Sequence, residues 1–360
     1  MRIVTTDQVR DQLRLVKDPE LHKDLVSLNM IKDIAVDGAT VRVHVELTTP
    51  ACPLKDQIRR DIESALKRLD GVGDVRIEWS AQVRSSRPAA NVLPGVKNVV
   101  AVGAGKGGVG KSTAAVLLAY GLHRSGASVG LMDADVYGPS IPTLTGTEGS
   151  KLQVKGEKIL PVLAGGVRIM SIGFMVDRDK ALIWRGPMTH GVVKQFLEQV
   201  DWGELDYLIV DLPPGTGDVP LSLAQSIPMT GAVVICTPQD VALVDARRAV
   251  RMYQQLNVPC LGIIENMSYY LCPKCGHRDE LFDHGGAAQA AKELDIPFLG
   301  EIPLNTKLRE FGDAGTPEKT FTDCDDYVAE AVNKVVQNAA GQISIRSSLK
   351  TPAPTLSIEE

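Results

Sequence analysis

The sequence predicts an α/β protein with a mostly parallel sheet, preceded by a small α+β domain. Over residues 97–337, short apolar runs alternate with helical patterns, the order that parallel strands joined by crossover helices produce. Residues 1–80 hold a shorter series of helices and strands, and residues 81–96 have the Ser, Arg and Pro content of an exposed linker. A chain of 360 residues also fits two domains better than one.

In the first domain, the apolar patterns predict an alternation of helices with short strands. The predicted elements are a helix over Thr6–Val16, strands over Met30–Val36 and Val41–Leu47, a helix over Pro53–Leu69 and a strand over Val75–Trp79. Asp37 and Gly38, between the first two strands, are typical of a tight hairpin turn. We therefore expect the first two strands to pair antiparallel.

The second domain is predicted to hold strands over 99–104, 128–133, 206–211, 231–237 and 260–265, with helices over 111–124, 218–226 and 240–256. Residues 151–175 contain strand-like runs interrupted by glycine, which predict a hairpin insertion. The last residues, 338–360, end in Ser, Pro and Glu, and we expect this tail to be disordered.

Composition narrows the classes of function. A net charge of −5, a pI near 5.8 and an aromatic content of 4% argue against nucleic acid as the main partner. The first residues lack the apolar core of a signal peptide and no apolar run is long enough to cross a membrane, so we expect a cytoplasmic protein without a membrane partner. Six scattered cysteines do not suggest a disulfide framework.

A glycine-rich loop directly after the predicted strand 99–104 is the strongest motif in the chain. Its glycines allow consecutive backbone N–H groups to face phosphate oxygens, and the following helix presents its positive end to the same anion. Lys111 is predicted to reach the β and γ phosphates, and Ser112 to bind Mg²⁺. We therefore expect an ATP site formed by Gly105, Lys106, Gly107, Gly108, Val109, Gly110, Lys111, Ser112 and Thr113.

Lys106 is an extra cation in this loop. A phosphate-binding loop needs only Lys111, and a second lysine beside it adds repulsion. Lys106 therefore requires a further role.

Polar residues at the ends of three other predicted strands point to the same edge of the sheet, where open α/β sheets bind ligands. Asp211 is predicted to hold Mg²⁺ through water, with Asp133 close by. Asp135 is the candidate for orienting the attacking water, and we expect it to act in catalysis with Lys106 and Lys111. Gly215 could give its N–H to the γ phosphate, and Asn266 could pair with the purine edge.

Cys272 and Cys275 are separated by two residues, a spacing typical of metal thiolates. Two ligands rarely complete a site, and two readings stay open. Cys272, Cys275, His277 and His284 could bind zinc within one chain, or a second chain could supply two more thiolates for a cluster. Thiol redox chemistry is a weaker third possibility, because no thioredoxin-like context surrounds the pair.

The remaining cysteines carry less information. Cys52 precedes a predicted helix whose dipole would favour a thiolate, so it is either a reactive thiol or a core residue. Cys236 and Cys260 lie within strand runs and are expected in the core, whereas Cys324 suggests nothing.

Taken together, these motifs resemble the Mrp family of iron–sulfur cluster carrier ATPases, within the deviant Walker A group of P-loop NTPases that includes MinD and ParA. The resemblance covers residues 97–335, and residues 1–80 resemble the small domain that bacterial members carry in front. It rests on the segments 106–113, 133–140, 184–188, 211–218 and 272–275, together with 18–20 and 48–53 in the first domain.

The resemblance implies that Lys106 crosses a two-fold axis to the phosphates bound by the other subunit of a homodimer. It also implies that Cys272 and Cys275 of both chains hold one iron–sulfur cluster, expected to be [4Fe–4S], at the interface. The implied partners are iron–sulfur apoproteins and assembly scaffold proteins.

Two other functions remain open from sequence. A MinD- or ParA-like positioning protein would use the same nucleotide switch, with structural zinc at the paired cysteines, but predicts a basic C-terminal helix. A small-molecule kinase could use residues 184–187, Trp-Arg-Gly-Pro, as a substrate clamp.

Overall fold

The computed structural model describes residues 4–85, 93–135, 138–175, 186–217, 221, 224 and 227–349. The chain divides into two compact units, Met1–Arg84 and Ser85–Glu360. The boundary falls within the predicted linker 81–96, although Ala81 and Val96 at its ends belong to strands.

The first unit contains α1 (Thr6–Leu13), β1 (Ile31–Asp37), β2 (Thr40–Leu47), α2 (Lys55–Leu66) and β3 (Asp74–Ala81). Its sheet has the order β1-β2-β3, with β1 antiparallel and β3 parallel to β2. The predicted hairpin turn is confirmed, because Asp37 pairs with Thr40 and Gly38 has a φ of +59°. Both helices bury their apolar faces in one core with β2.

The second unit contains a larger set of strands. They are β4 (Val96–Ala104), β5 (Val129–Asp133), β6 (Gln153–Lys155), β7 (Lys158–Leu160), β8 (Val162–Ala164), β9 (Val167–Ser171), β10 (Leu205–Asp211), β11 (Gly231–Cys236), β12 (Cys260–Leu271), β13 (Arg278–Asp279) and β14 (Phe298–Leu304). The described helices are α3 (Lys111–Arg124), α4 (Ile141–Leu144), α5 (Gly186–Gln199), α6 (Asp240–Gln255), α7 (Gly286–Glu293), α8 (Thr306–Asp313) and α9 (Asp326–Leu349), with short 3₁₀ turns at Ile172–Phe174 and Pro317–Phe321.

The main sheet has the order β13-β12-β11-β4-β10-β5-β9-β8, and β14 also pairs with β12. Its central pairs are parallel, which confirms the predicted class. β4 and β10 are apolar and almost wholly buried, as strands covered on both faces are. Asp211 pairs in register with Val102 and Asp133, so the carboxyl ends of β4, β5 and β10 meet at one edge.

Two predictions for this unit are wrong in part. Only β6 and β7 of the region 151–175 form a separate hairpin, because β9 joins the main sheet parallel to β5, with β8 antiparallel at its edge. The tail was expected to be disordered from residue 338, yet α9 continues to Leu349 and buries Ala340 and Ile343. The apolar residues spaced along 335–343 form this buried helical face. The Ser, Pro and Glu residues that follow led to the prediction of disorder for the whole segment.

Some predictions lie outside the described residues. The helix predicted over 218–226 falls largely there, as do Val136, Tyr137, Trp184 and Arg185. Among the helices described, no segment is long and apolar enough to span a membrane.

Candidate functional site

The glycine-rich loop joins the buried strand β4 to the buried helix α3, so two elements of the core hold it in place. Gly108 and Gly110 have φ values of +82° and +80°, a region that favours glycine. A Cβ on Gly110 would lie 2.1 Å from the Asn266 Nδ2 atom. The loop opens onto a cleft of about 370 Å³, lined by Lys106, Gly107, Gly108, Gly110, Lys111, Ser112, Thr113, Asp135, Gly138, Ser140, Thr143, Leu144 and Pro214.

Lys111 lies among carboxylates at the base of this cleft. Its ammonium is 2.7 Å from Asp211 Oδ1 and 3.6 Å from Asp135 Oδ2. The Ser112 hydroxyl donates to the other Asp211 oxygen at 2.6 Å. The structure thus brings Lys111 and Ser112, at the start of α3, together with Asp135 and Asp211, as the positions of the two aspartates near strand ends had indicated.

Asp133 lies behind this group and is fully buried. One carboxylate oxygen accepts from Ser171 Oγ at 2.8 Å and the other from the Asp135 backbone N–H at 3.1 Å. Burial, followed by the negative charge of Asp211, raises the pKa of Asp133 to about 8. Burial also raises the pKa of Asp211, against the opposing effect of Lys111.

The residues predicted to hold Mg²⁺ have suitable chemistry. Ser112 and Asp211 present oxygen ligands 2.6 Å apart, and hard oxygen donors are what Mg²⁺ prefers. Asp133 does not line the cleft, so its part in a Mg²⁺ site would be to orient residues around it.

Lys106 and Asp135 both line the cleft. Within the described ranges, Lys106 is assigned no carboxylate partner, which distinguishes it from Lys111. Lys106 is partly exposed where it lines the cleft, so solvent and ligands can reach it.

Gly215 and Asn266 already have partners within the chain. The Gly215 N–H donates to the Ala104 carbonyl at 2.8 Å, and Asn266 Nδ2 donates to the Val109 carbonyl at 2.8 Å. The predicted contact of Gly215 with the γ phosphate would require its N–H to leave Ala104, whereas Asn266 keeps a second amide hydrogen and its Oδ1 for the purine edge. Asn266 therefore stabilises the glycine-rich loop through Val109, a role that its position in the sequence did not predict.

Cys272 and Cys275 lie on a tight turn between β12 and β13, which pair antiparallel at Leu271 and Arg278. The turn is closed by Cys272 N–H to His277 O at 2.9 Å and by Gly276 N–H to Cys272 O at 2.8 Å. Hydrogen bonds to the Cys272 sulfur from the Lys274 and Cys275 N–H groups, and then from the Cys275 thiol, lower its pKa. A backbone that favours thiolate and leaves both sulfurs accessible suits metal binding.

The one-chain zinc site is not assembled. Among the described residues, which include all four predicted ligands, no group of three ligand atoms within 4.8 Å of one another contains Cys272 or Cys275. His284 instead lies with Glu265 and Glu301. The paired cysteines thus present two accessible sulfurs, with no third ligand from the described part of their own chain.

Glu265 is a buried carboxylate that connects β12 to the start of α7, a role that the sequence analysis did not predict. Its carboxylate accepts from Ser268 Oγ at 2.6 Å and from the Gly285 and Ala287 N–H groups at the start of α7, at 3.0 and 2.8 Å. A carboxylate within the apolar run 260–265 was the available signal.

The other cysteines differ in burial and in the pKa of their thiols. Cys236 and Cys260 are buried in the core as predicted, and burial raises the pKa of their thiols to about 12 and 11. Cys52 is half-buried against the core of the first unit, and burial, followed by weaker effects of Glu20 and Asp18, raises the pKa of its thiol to about 11, which favours the core-residue interpretation.

Comparison with known proteins agrees with this geometry. A family model described as NUBPL iron-transfer P-loop NTPase matches residues 95–340, more than half of the chain. The chain belongs to this family. A second model, described as iron–sulfur cluster assembly protein, matches residues 6–79 of the first unit. The two models divide the chain close to the boundary between its two compact units.

Relatives match over nearly the full length. A protein of Synechocystis named iron–sulfur cluster carrier protein is 49% identical over 95% of this chain and 99% of its own length. A protein of the same name from Deinococcus radiodurans is 50% identical over 96% of this chain and 98% of its own length. A solved nucleotide-binding protein of Archaeoglobus fulgidus, described as a complex with ADP in which cobalt was found, is 41% identical, with a TM-score of 0.58 over 64% of this chain and 90% of that one.

Proposed function

We propose that this protein is an ATP-hydrolysing carrier that holds an iron–sulfur cluster between two copies of the chain and transfers it to apoproteins. The observation that carries the proposal is the turn at Cys272 and Cys275, where backbone N–H groups favour thiolate and both sulfurs remain accessible. Full-length relatives named as cluster carriers support the same conclusion.

The number of ligands that a cluster needs supports a homodimer. A [4Fe–4S] cluster takes four thiolates, and each chain presents two at the turn. Two copies related by a two-fold axis would bring four sulfurs to one point if the turns lie near that axis. A cluster bound at a subunit interface can be released when the interface opens, which suits a transferable cargo.

The ATP site would supply the control of that interface. Lys111 would turn from Asp211 toward the β and γ phosphates, leaving Ser112 and Asp211 to hold Mg²⁺, which adds positive charge to the phosphate oxygens. Asp135 would orient the water that attacks the γ phosphorus, giving ADP and phosphate. Lys106 would reach the phosphates bound by the other copy.

The recipients would be iron–sulfur apoproteins in the cytoplasm, with assembly scaffold proteins as donors. The positioning-protein alternative is weakened by α9. That helix carries only Lys334 and Arg346 as basic residues, against Asp326 and Glu330, and it buries one face in the fold.

Anaerobic reconstitution with iron and sulfide tests the proposal. The unaltered protein should gain visible cluster absorption, with about two cysteines per chain consumed, and should sediment as a dimer. Cys272→Ser should bind little or no cluster. Cys324→Ser, at a half-buried cysteine away from the turn, is the matched control and should bind as the parent does. Equal cluster content in Cys272→Ser and the parent would refute the assignment.

A further inference from the structure

A second group of metal-type ligands lies on the strand that leads to the cysteine turn. Glu265 on β12 pairs in register with Glu301 on β14, so both carboxylates project from adjacent strands at one level. His284, in the loop before α7, completes the group, and one ligand atom from each residue lies within 4.8 Å of the other two.

The contact between His284 and Glu301 is not an ordinary hydrogen bond. The Nε2 atom lies 3.0 Å from Glu301 Oε1, yet it is buried and lacks the alignment that a hydrogen bond needs. Adjacent ligands of an ion with bonds of about 2.1 Å lie about 3 Å apart, and opposite ligands about 4.2 Å apart. The 3.0 Å between His284 Nε2 and Glu301 Oε1 matches that of adjacent ligands of one ion, and the third ligand atom lies within 4.8 Å of both.

Burial and charge favour a cation at this point. Glu265 is fully buried, and its three hydrogen bonds come from neutral donors. Glu301 adds a second carboxylate, and the guanidinium of Arg278 lies 4.0 Å from its other oxygen. A buried carboxylate needs a compensating charge, which a divalent ion would supply to both glutamates.

We propose that Glu265, His284 and Glu301 form a mononuclear site for a divalent transition-metal ion of the Fe²⁺, Co²⁺ or Zn²⁺ class. One imidazole and two carboxylates suit these ions better than Mg²⁺ or Ca²⁺, which prefer oxygen alone. The side chains of His284 and Glu301 are 30% and 28% exposed, so water can reach the site and complete the coordination.

The site is separate from the cysteine turn. Glu265 lies on β12, whereas Cys272 follows the end of that strand, and among the described residues neither cysteine belongs to a group of three ligand atoms within 4.8 Å of one another. A single ion cannot bind both. The proposal therefore does not depend on the cluster, and the two can be tested independently.

Cobalt titration of the full chain tests the proposal, because the visible spectrum of Co²⁺ reports its ligands. The background is the double variant Cys272→Ser, Cys275→Ser, which removes thiolate ligation. We expect it to bind Co²⁺ with a spectrum of nitrogen and oxygen ligation. Adding His284→Gln or Glu301→Gln should weaken that binding about tenfold or more.

His277→Gln in the same background is the matched control, since this exposed histidine is outside the group. It should leave Co²⁺ affinity unchanged. Unchanged far-ultraviolet circular dichroism would show that each variant is folded. The proposal is overturned if His284→Gln and His277→Gln bind Co²⁺ equally, or if the double variant binds none. Either result leaves cluster binding at the cysteine turn untouched.

Discussion

At the scale of single residues, two lysines of one loop have different surroundings. Lys111 is 7% exposed and paired with Asp211, whereas Lys106 is half-buried and has no carboxylate partner among the described residues. The first is positioned to exchange a carboxylate for a phosphate in its own cleft. The second keeps its charge available for a group beyond the chain.

This contrast predicts different losses for the two alanine variants. Lys111→Ala should abolish ATP binding, because the buried carboxylates would then repel the triphosphate without compensation. Lys106→Ala should leave the Kd for ATP within about twofold and lower turnover by about 10³-fold, as loss of a cation supplied in trans does. Calorimetry and phosphate release measure the two effects. Similar loss of binding in both variants would contradict the division of roles.

Asp206 lies at the start of β10, the end of the strand opposite to Asp211, and has a structural role. Burial alone would raise its pKa, but hydrogen bonds from Lys97 and Ser128 outweigh burial and hold the pKa of Asp206 below its usual value. Lys97 Nζ lies 2.8 Å away, and Ser128 donates both its N–H and its hydroxyl at 2.9 and 3.0 Å. The ionised form therefore stabilises the fold.

Asp206→Asn should lower the free energy of unfolding by about 1–3 kcal/mol at pH 7. Because the folded pKa is depressed, this contribution is complete above the unfolded value of about 3.9 and is lost as the pH falls through the folded pKa. Urea unfolding at pH 7 and at acid pH should show that the difference in free energy of unfolding between Asp206→Asn and the parent shrinks as the pH falls. Asp201→Asn, at an exposed residue, should unfold with the same free energy as the parent at both pH values.

At the scale of elements, a side-chain hydrogen bond joins strand β12 to the glycine-rich loop. Asn266 on β12 donates to the Val109 carbonyl and fills the space beside Gly110. The same strand continues to the cysteine turn, so it links the nucleotide loop to the predicted cluster ligands.

Gly110→Ala should therefore reduce ATP affinity by at least about 100-fold. Its Cβ would sit 2.1 Å from Asn266 Nδ2, in addition to the strain of a positive φ. Gly149→Ala is the control, because Gly149 has a φ of +70° but nothing within 4 Å of the added carbon. Binding of a fluorescent ATP analogue compares them. If both lose affinity equally, a general effect of a strained backbone on the fold, and not the contact with Asn266, is responsible.

The sequence predicted elements that local pattern determines. Helix 111–124 and the strand ends carrying Asp133 and Asp211 were found because glycine chemistry and apolar runs are local signals. The hydrogen bond of Asn266, the burial of Asp133 and the group around His284 were not found. Each depends on which strands become neighbours, and the pairing of β12 with β14 has no local signature.

At the scale of the whole molecule, the proposed homodimer would complete both predicted sites. One chain presents two accessible cysteine sulfurs at the turn and a lysine, Lys106, that has no carboxylate partner among the described residues. Both features are accounted for together if two copies face each other across the edge of the sheet that holds the loop. The ATP site would then be completed by the partner, which allows a direct test by mixing variants.

Lys106→Ala and Lys111→Ala should each be inactive alone but should complement each other when mixed. In a mixed dimer, the Lys106→Ala chain keeps Lys111 to bind ATP, and the Lys111→Ala chain supplies the missing Lys106. At equal amounts, about half of the dimers are mixed and each holds one complete site, so turnover should recover to about a quarter of the parent value.

Phosphate release measured against the mixing ratio should peak at equal amounts, because mixed dimers are most abundant there. Mixing Lys111→Ala with the double variant Lys106→Ala, Lys111→Ala is the control, since no complete site can form. Recovery in that control would point to a contaminating ATPase. If Lys106 acted within its own chain, no dimer would hold a complete site, and activity would stay at the sum of the separate variants at every ratio.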